Sequence, residues 1–432
     1  MHDVIIEGAK LAGRTGLWDV GIKNERISFV CASGNREVAL KRIQANERYL
    51  LPGLIDAHVH TRDPGYTEKE DFYSAGLAAA NGGITSIMAM PNTNPPMTSR
   101  AGMRLAGRMA EKSCVNVYLV GGVCISSPGW IHAVARENAV ALDMYDDIFS
   151  CGTDRWIHLL KEVKKTGLPI GFYLMDPSME ALRRRKLAET GADQMKAIQG
   201  ATNGETEAVS LGRLLPMTAY FQIPVIVRMI STAKGLEMIR HMRRIYPDAL
   251  IYAEVCASYL FLNSEALEKY GSRAHIHPPL RDQEDVDALW QGIQDGAVDY
   301  IASDHAPHTR ADKNKDSLAE CASGIAGIET MLALLLDASS KGMLKLEDIQ
   351  RLCCENPARI YGLKEKGRIL PGYDADLVLI DKEGGWTVDG SRFFTRGAPG
   401  PFEGWHLRGR PLLTMCKGKI LINKEKNRGD ML

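Results

Sequence analysis

The feature that most constrains the fold is an alternation of eight short apolar runs with longer amphipathic stretches. In order, the runs are YLLPGLIDAHVH, ITSIMAMPN, VNVYLVGGV, AVALDMY, LPIGFYLM, FQIPVIVRMI, ALIYAEVC and AVDYIASDH. Runs of this length bounded by turn residues read as buried strands, and segments such as DVDALWQGIQDG and LEMIRHMRRIY carry the helical period between them. The expected fold is α/β, a (β/α)8 TIM-like barrel whose chemistry collects at the C-terminal ends of its strands. A doubly wound sheet is the competing layout. It lacks support, because no GxGxxG follows the first strand and no GxxxxGK[ST] occurs anywhere.

The chain ends follow another pattern. DVIIEGAKL and DVGIKNERISFV near the start, and DADLVLIDKE and LTMCKGKILIN near the finish, are short β-like runs broken at Gly and Asn. Because chain ends can pair around an inserted body, residues 1–49 and 365–432 are expected to form one small β-sandwich domain, with the barrel spanning 50–364.

Composition narrows the function classes. Of 432 residues, 45% are hydrophobic and 25% charged, and 53 basic residues offset 53 acidic ones. That neutrality gives no electrostatic reason to expect nucleic acid or an anionic membrane surface. The one basic cluster, Arg183-Arg184-Arg185-Lys186, reads as a solvated helix face. No apolar run reaches membrane-span length, and MHDVIIEGAK lacks the pattern of a signal peptide, so a cytoplasmic protein is expected. Nine scattered cysteines without a CxxC pair suit free thiols in a reducing compartment.

The candidate chemistry lies at two strand ends. Positions i and i+2 of a strand project to one face, so His58 and His60 can aim both imidazoles at one point of the barrel mouth. Neutral imidazole is the commonest protein ligand for zinc. The eighth run ends in IASDHAPH and brings Asp304, His305 and His308 to the same end. Strands one and eight are neighbours in such a barrel. Asp304 could therefore ligate a metal with the two histidines, or take a proton from water as general base. A helix-capping Asp and locally bonded histidines are the plainer alternatives. Two signals meeting in one neighbourhood favour the metal. Arg62, two residues beyond the histidine pair, offers a planar fork suited to a carboxylate, and Asn92 closes the second strand with both a donor and an acceptor. Taken singly, each is equally well read as a surface ion pair or a turn residue.

With those residues in place the chain resembles the amidohydrolase superfamily and, within it, the dihydroorotases. DAHVHTRDPGYTEKEDF, GGITSIMAMPNTNPP, AEVCASYLFL, HIHPPLRDQED and SDHAPH each resemble a family motif, and together they run through nearly the whole chain. The resemblance implies a metal-dependent barrel with a flanking β-sandwich. It also implies reversible ring opening of dihydroorotate to N-carbamoyl-aspartate, a substrate carboxylate held by Arg62 and Asn92, and a ring contact from His308.

The family pattern also breaks. Metal-dependent members bring histidines from strands five and six to a second metal, and here Tyr173 and Met229 stand in those places. A tyrosine is a poor ligand unless ionised, with an ordinary pKa near about 10, and a thioether is weak toward zinc. His277 stands where the family has asparagine, as a replacement ligand or a substrate contact. Asp146 or Asp147 resembles the carboxylate some members use in place of a modified lysine. His58, His60, Asp304 and one of those aspartates would hold one zinc ion rather than two. Three readings follow: a single-metal dihydroorotase, a noncatalytic homologue acting as partner of aspartate transcarbamoylase, and an enzyme for a related ring such as hydantoin or allantoin. A homo-oligomer is compatible with all three.

Overall fold

The computed structural model describes residues 1–34, 36–144, 151–174, 176–191 and 194–425. The N-terminal segment contributes β1 (His2–Leu11), β2 (Trp18–Lys23), β3 (Arg26–Ala32), β4 (Ala39–Gln44) and β5 (Tyr49–Pro52). Next come β6 (Leu54–Val59), β7 (Ile84–Ala89), β8 (Asn116–Val123), β9 (Ala139–Met144), β10 (Ile170–Tyr173), β11 (Val225–Arg228), β12 (Ile251–Cys256) and β13 (Tyr300–Ala302). The chain finishes with β14 (Leu377–Thr387), β15 (His406–Cys416) and β16 (Lys419–Asn423).

Strands β6 to β13 pair side by side in chain order as one parallel sheet. The sheet closes where Val59 bridges His305 and the His60 amide donates to the His305 carbonyl at 2.8 Å. Each of the eight apolar runs supplies one of these strands. Alternation, shifted in β6 by an irregularity between Asp56 and Val59, sets two cores. Inward-facing Ile55, Ala57, Met88, Val120, Ala141, Ile226, Tyr300 and Ala302 pack with Ala358, Ile360 and Tyr361, which plug the barrel interior. A larger cluster, including Leu54, Val59, Ile87, Leu142 and Val227, fills the layer between the strands and their helices. Helix starts are fixed locally: Asp71 accepts from the Ser74 amide at 2.8 Å ahead of the alanine-rich helix Phe72–Asn81, and Asn203 and Thr232 cap the helices Gly204–Tyr220 and Ala233–Ile245 in the same manner. No described helix is long and apolar enough to cross a membrane.

The second sheet takes strands from both chain ends in the order β16-β15-β14-β5-β1-β2-β3, with β4 added on β1. Most of its pairs are antiparallel, and the two chain ends meet where β14 runs against β5. The first apolar run, expected as one strand, is therefore two, with its first part in this sheet and its second in the barrel. Gly53 makes the break: a Cβ there would lie 2.2 Å from the Thr85 hydroxyl oxygen. Only a residue without a side chain lets the backbone pass from one sheet to the other.

Candidate metal and substrate site

Strand periodicity brings His58 and His60 to the C-terminal end of β6, and their rings lie 5.2 Å apart, tilted 54°. Asp304, just past β13, places Oδ1 3.2 Å from His60 Nε2 and 3.5 Å from His58 Nε2. The far side of each ring is held. His58 Nδ1 lies 2.7 Å from Glu254 Oε1, and His60 Nδ1 lies 2.7 Å from Asn92 Oδ1. Both partners are oxygen acceptors, so each Nδ1 carries a proton and each Nε2 can offer its lone pair to an ion held together with Asp304. Two imidazole nitrogens and a carboxylate oxygen within 4.8 Å of one another make a donor set of the zinc type. The residues fit the metal the family implies.

Electrostatics divides the two histidines. Burial, with Arg62 nearby, lowers His60 to about 4, so this ring is neutral and ready to ligate. Burial also works against a charged His58, but the Glu254 and Asp304 carboxylates outweigh it and the net shift is upward. Metal binding at His58 therefore competes with a proton.

Beside this group Arg62 is partly buried. Its Nε donates to the Pro307 carbonyl at 3.2 Å and its Nη2 lies 3.2 Å from His308 Nε2. Among the described residues no carboxylate pairs with it. Burial lowers its pKa, as expected of a cation short of a counter-ion. His308 is held in turn, with Nε2 3.1 Å from the Ser323 carbonyl and Nδ1 3.4 Å from Lys69 Nζ. Burial and the Arg62 and Lys69 charges bring it down to about 3. Arg62 and Asp304 have left-handed backbones, with φ of 60° and 45°. Strained conformations of this sort cost roughly 1–3 kcal/mol each and collect at functional sites.

Other candidates are placed differently. Tyr173 does reach the group, its hydroxyl 3.2 Å from His58 Nε2, and burial pushes its pKa well above the ordinary value, which keeps it a phenol. Met229 is buried in the apolar cluster between strands and helices. His277 is exposed, and no hydrogen bond or ion pair joins it to His58, His60 or Asp304. His305 is fully buried and spent on another partner, with Nε2 3.2 Å from Glu70 Oε2. Asp146 and Asp147 lie outside the described residues. Asn92 touches His60 directly, a contact its place after the second strand did not disclose. Glu254 was not singled out from the sequence at all, although a carboxylate in the apolar run ALIYAEVC is the signal that marks it: buried charges are rare unless paired.

The sequence profile of the Amidohydrolase family matches residues 49–209 and 250–421. A protein of Methanothermobacter thermautotrophicus named dihydroorotase is 30% identical over 98% of this chain and 94% of its own length. One of Anaplasma phagocytophilum with the same name is 31% identical over 92% and 88%. Among solved structures, an L-hydantoinase (dihydropyrimidinase) from Arthrobacter aurescens superposes with a TM-score of 0.93 at 26% identity, over 98% of this chain and 97% of that one.

Proposed function

The chain belongs to the amidohydrolase family, and on that premise we propose that it hydrolyses a cyclic amide bearing a carboxylate, with dihydroorotate as substrate and N-carbamoyl-aspartate as product of a reversible ring opening. The observation that carries this reading is the Arg62 guanidinium, partly buried, without a carboxylate partner among the described residues, and four residues from the His58 end of the donor set. A planar fork in that state suits an acidic substrate bidentately.

His58, His60 and Asp304 would hold one zinc ion, which when bound supplies Lewis acidity toward a carbonyl oxygen and lowers the pKa of water. The protein's own groups account for the rest. Arg62 binds the substrate carboxylate and turns the ring toward the histidines. His308, fixed between Ser323 and Lys69, walls that anion site and keeps Arg62 in place. Asp304 meets both histidines through Oδ1, which leaves Oδ2 to take a proton from the attacking water and return it to the departing amide nitrogen. Asn92 and Glu254 hold the two imidazoles in one orientation. The two domains would divide at Gly53, three residues later than the expected 49/50 boundary because β5 pairs with β1 and β14, with the terminal β-sheet domain flanking the catalytic barrel.

Purified protein loaded with zinc should bind about one ion per chain and open dihydroorotate in preference to hydantoin or allantoin. No turnover of dihydroorotate with zinc, manganese or cobalt would remove the reading. A second reading is favoured by Tyr173 and Met229 in the places of two ligands: a noncatalytic partner of aspartate transcarbamoylase. Co-purification with a transcarbamoylase, with no ion bound, would select it.

A further inference from the structure

A fully buried guanidinium lies beneath the candidate metal site. Arg228 ends β11 with 0% exposure. Its Nε donates to Asp143 Oδ1 at 3.0 Å and its Nη1 to Glu254 Oε2 at 2.6 Å. The same Nη1 lies 3.2 Å from the Ala57 carbonyl, 3.0 Å from the Tyr361 hydroxyl and 3.3 Å from the Tyr300 hydroxyl. Tyr300 in turn donates to Glu254 Oε2 at 2.8 Å. Glu254 thus spends one oxygen on Arg228 and Tyr300 and the other on His58 Nδ1. A continuous chain of contacts, Asp143 to Arg228 to Glu254 to His58, crosses the barrel interior from β9 to β6.

The backbone is shaped around this chain. On β10, which lies between β9 and β11, Gly171 faces the ion pair, and a Cβ there would fall 1.9 Å from Asp143 Oδ1 and 2.6 Å from Arg228 Nε. Stability does not explain the arrangement. Desolvating each ion costs several kcal/mol, and well-packed apolar groups of similar volume often serve as well or better. What the charges do provide is direction. A carboxylate accepts and cannot donate, so a Glu254 gripped at Oε2 must accept a hydrogen bond from His58 Nδ1–H at Oε1.

We infer that Arg228 is a positioning residue for metal capture: by gripping Glu254 it aims Oε1 at His58 Nδ1 and so presents His58 Nε2 to Asp304 and His60. This rests on the proposed metal site, yet its first readout needs no metal. In the metal-free chain with 15N-labelled histidine, the His58 Nδ1 proton should appear as a hydrogen-bonded signal protected from water exchange. Arg228→Met should lose that protection. In the second readout, Arg228→Met should weaken zinc binding about tenfold or more, the scale of an outer-shell partner. Glu254→Gln should do the same, and the double variant should be no worse than either single, since both act through one contact.

Should the methionine variant fail to fold, Arg228→Lys carries the same readouts, because it keeps the buried charge but cannot bridge both carboxylates. An unchanged Nδ1 proton in a folded variant, or zinc losses that add, would overturn the inference. Wild-type chain that binds no zinc but loses the Nδ1 signal on substitution would sink the metal site while leaving the strut intact.

Discussion

Around the barrel mouth, the ends of β6 and β13 can be set against the ends of β10 and β11. Both halves share a backbone device, a non-glycine residue in the left-handed region just past a strand: Arg62 and Asp304 on one side, Met229 with φ of 55° on the other. Their side chains differ in kind. The first half offers two imidazoles, a carboxylate and a guanidinium around one point. The second offers a phenol that stays protonated and a thioether packed into an apolar layer. A shared strand-end backbone does not fix the chemistry of the side chains it carries. The donors come from the neighbouring strands β6 and β13, and that lopsidedness is why the proposed site seats one ion.

The largest expected effect comes from removing the donor shared by both histidines. Asp304→Ala should abolish stoichiometric zinc uptake and lower turnover by more than the roughly 10–100-fold typical of an outer-shell partner. Metal analysis after dialysis, alongside a ring-opening assay, checks it. One ion retained per chain would mean that the second half of the mouth holds ligands after all. Next in size is the acid clamp. Charge-assisted hydrogen bonds contribute about 1.5–3 kcal/mol, so Arg62→Met should cost roughly 10–100-fold in kcat/KM for dihydroorotate. An uncharged ring such as hydantoin should show little change, and an equal loss for both rings would assign Arg62 to the fold rather than to the substrate.

The legible half and the less legible half of the site differ for a physical reason. His58 and His60 could be read because a period of two places both on one face, and Asp304 because strands one and eight must adjoin once a barrel closes. Eight apolar runs carried the barrel in the same direct manner. Arg228 and Glu254 were missed, although each is a charge inside an apolar run, VIVRMI and ALIYAEVC. Their partners, Asp143 and His58, lie on other strands, and sequence spacing carries no information on which side chains meet inside a closed barrel. His277 shows the converse. Its motif resembles one near the family's site, but its side chain is exposed and no hydrogen bond or ion pair joins it to the donor set.

Exchanging residues between the halves sharpens the contrast at a smaller scale. Tyr173→His would put a nitrogen where the phenol now meets His58 Nε2 at 3.2 Å. Zinc should bind at least about tenfold tighter, since a direct ligand adds no less than the roughly 10–100-fold of an indirect contact, with the count staying at one. Met229→His should change affinity little, because position 229 is packed among apolar groups. Isothermal titration of the two variants separates them. A second ion in Met229→His would show that this half still opens to the mouth.

The smallest effect concerns acid. Burial lowers His275 to about 4 and brings His308 to about 3, against about 6.5 in an unfolded chain. For a histidine with a depressed folded pKa, the unfolded state binds the extra proton first. Stability from these two groups is therefore fully present above about 6.5, falls as pH drops through the window toward about 4 and 3, and levels off below it. Thermal unfolding of the metal-free chain should show a declining Tm across that window. His308→Gln should flatten the decline, since glutamine can keep one of the two hydrogen bonds without a titrating ring. If His308→Gln tracks the wild type, the acid sensitivity belongs to His275 or to carboxylates elsewhere, and the cationic wall around Arg62 contributes nothing to it.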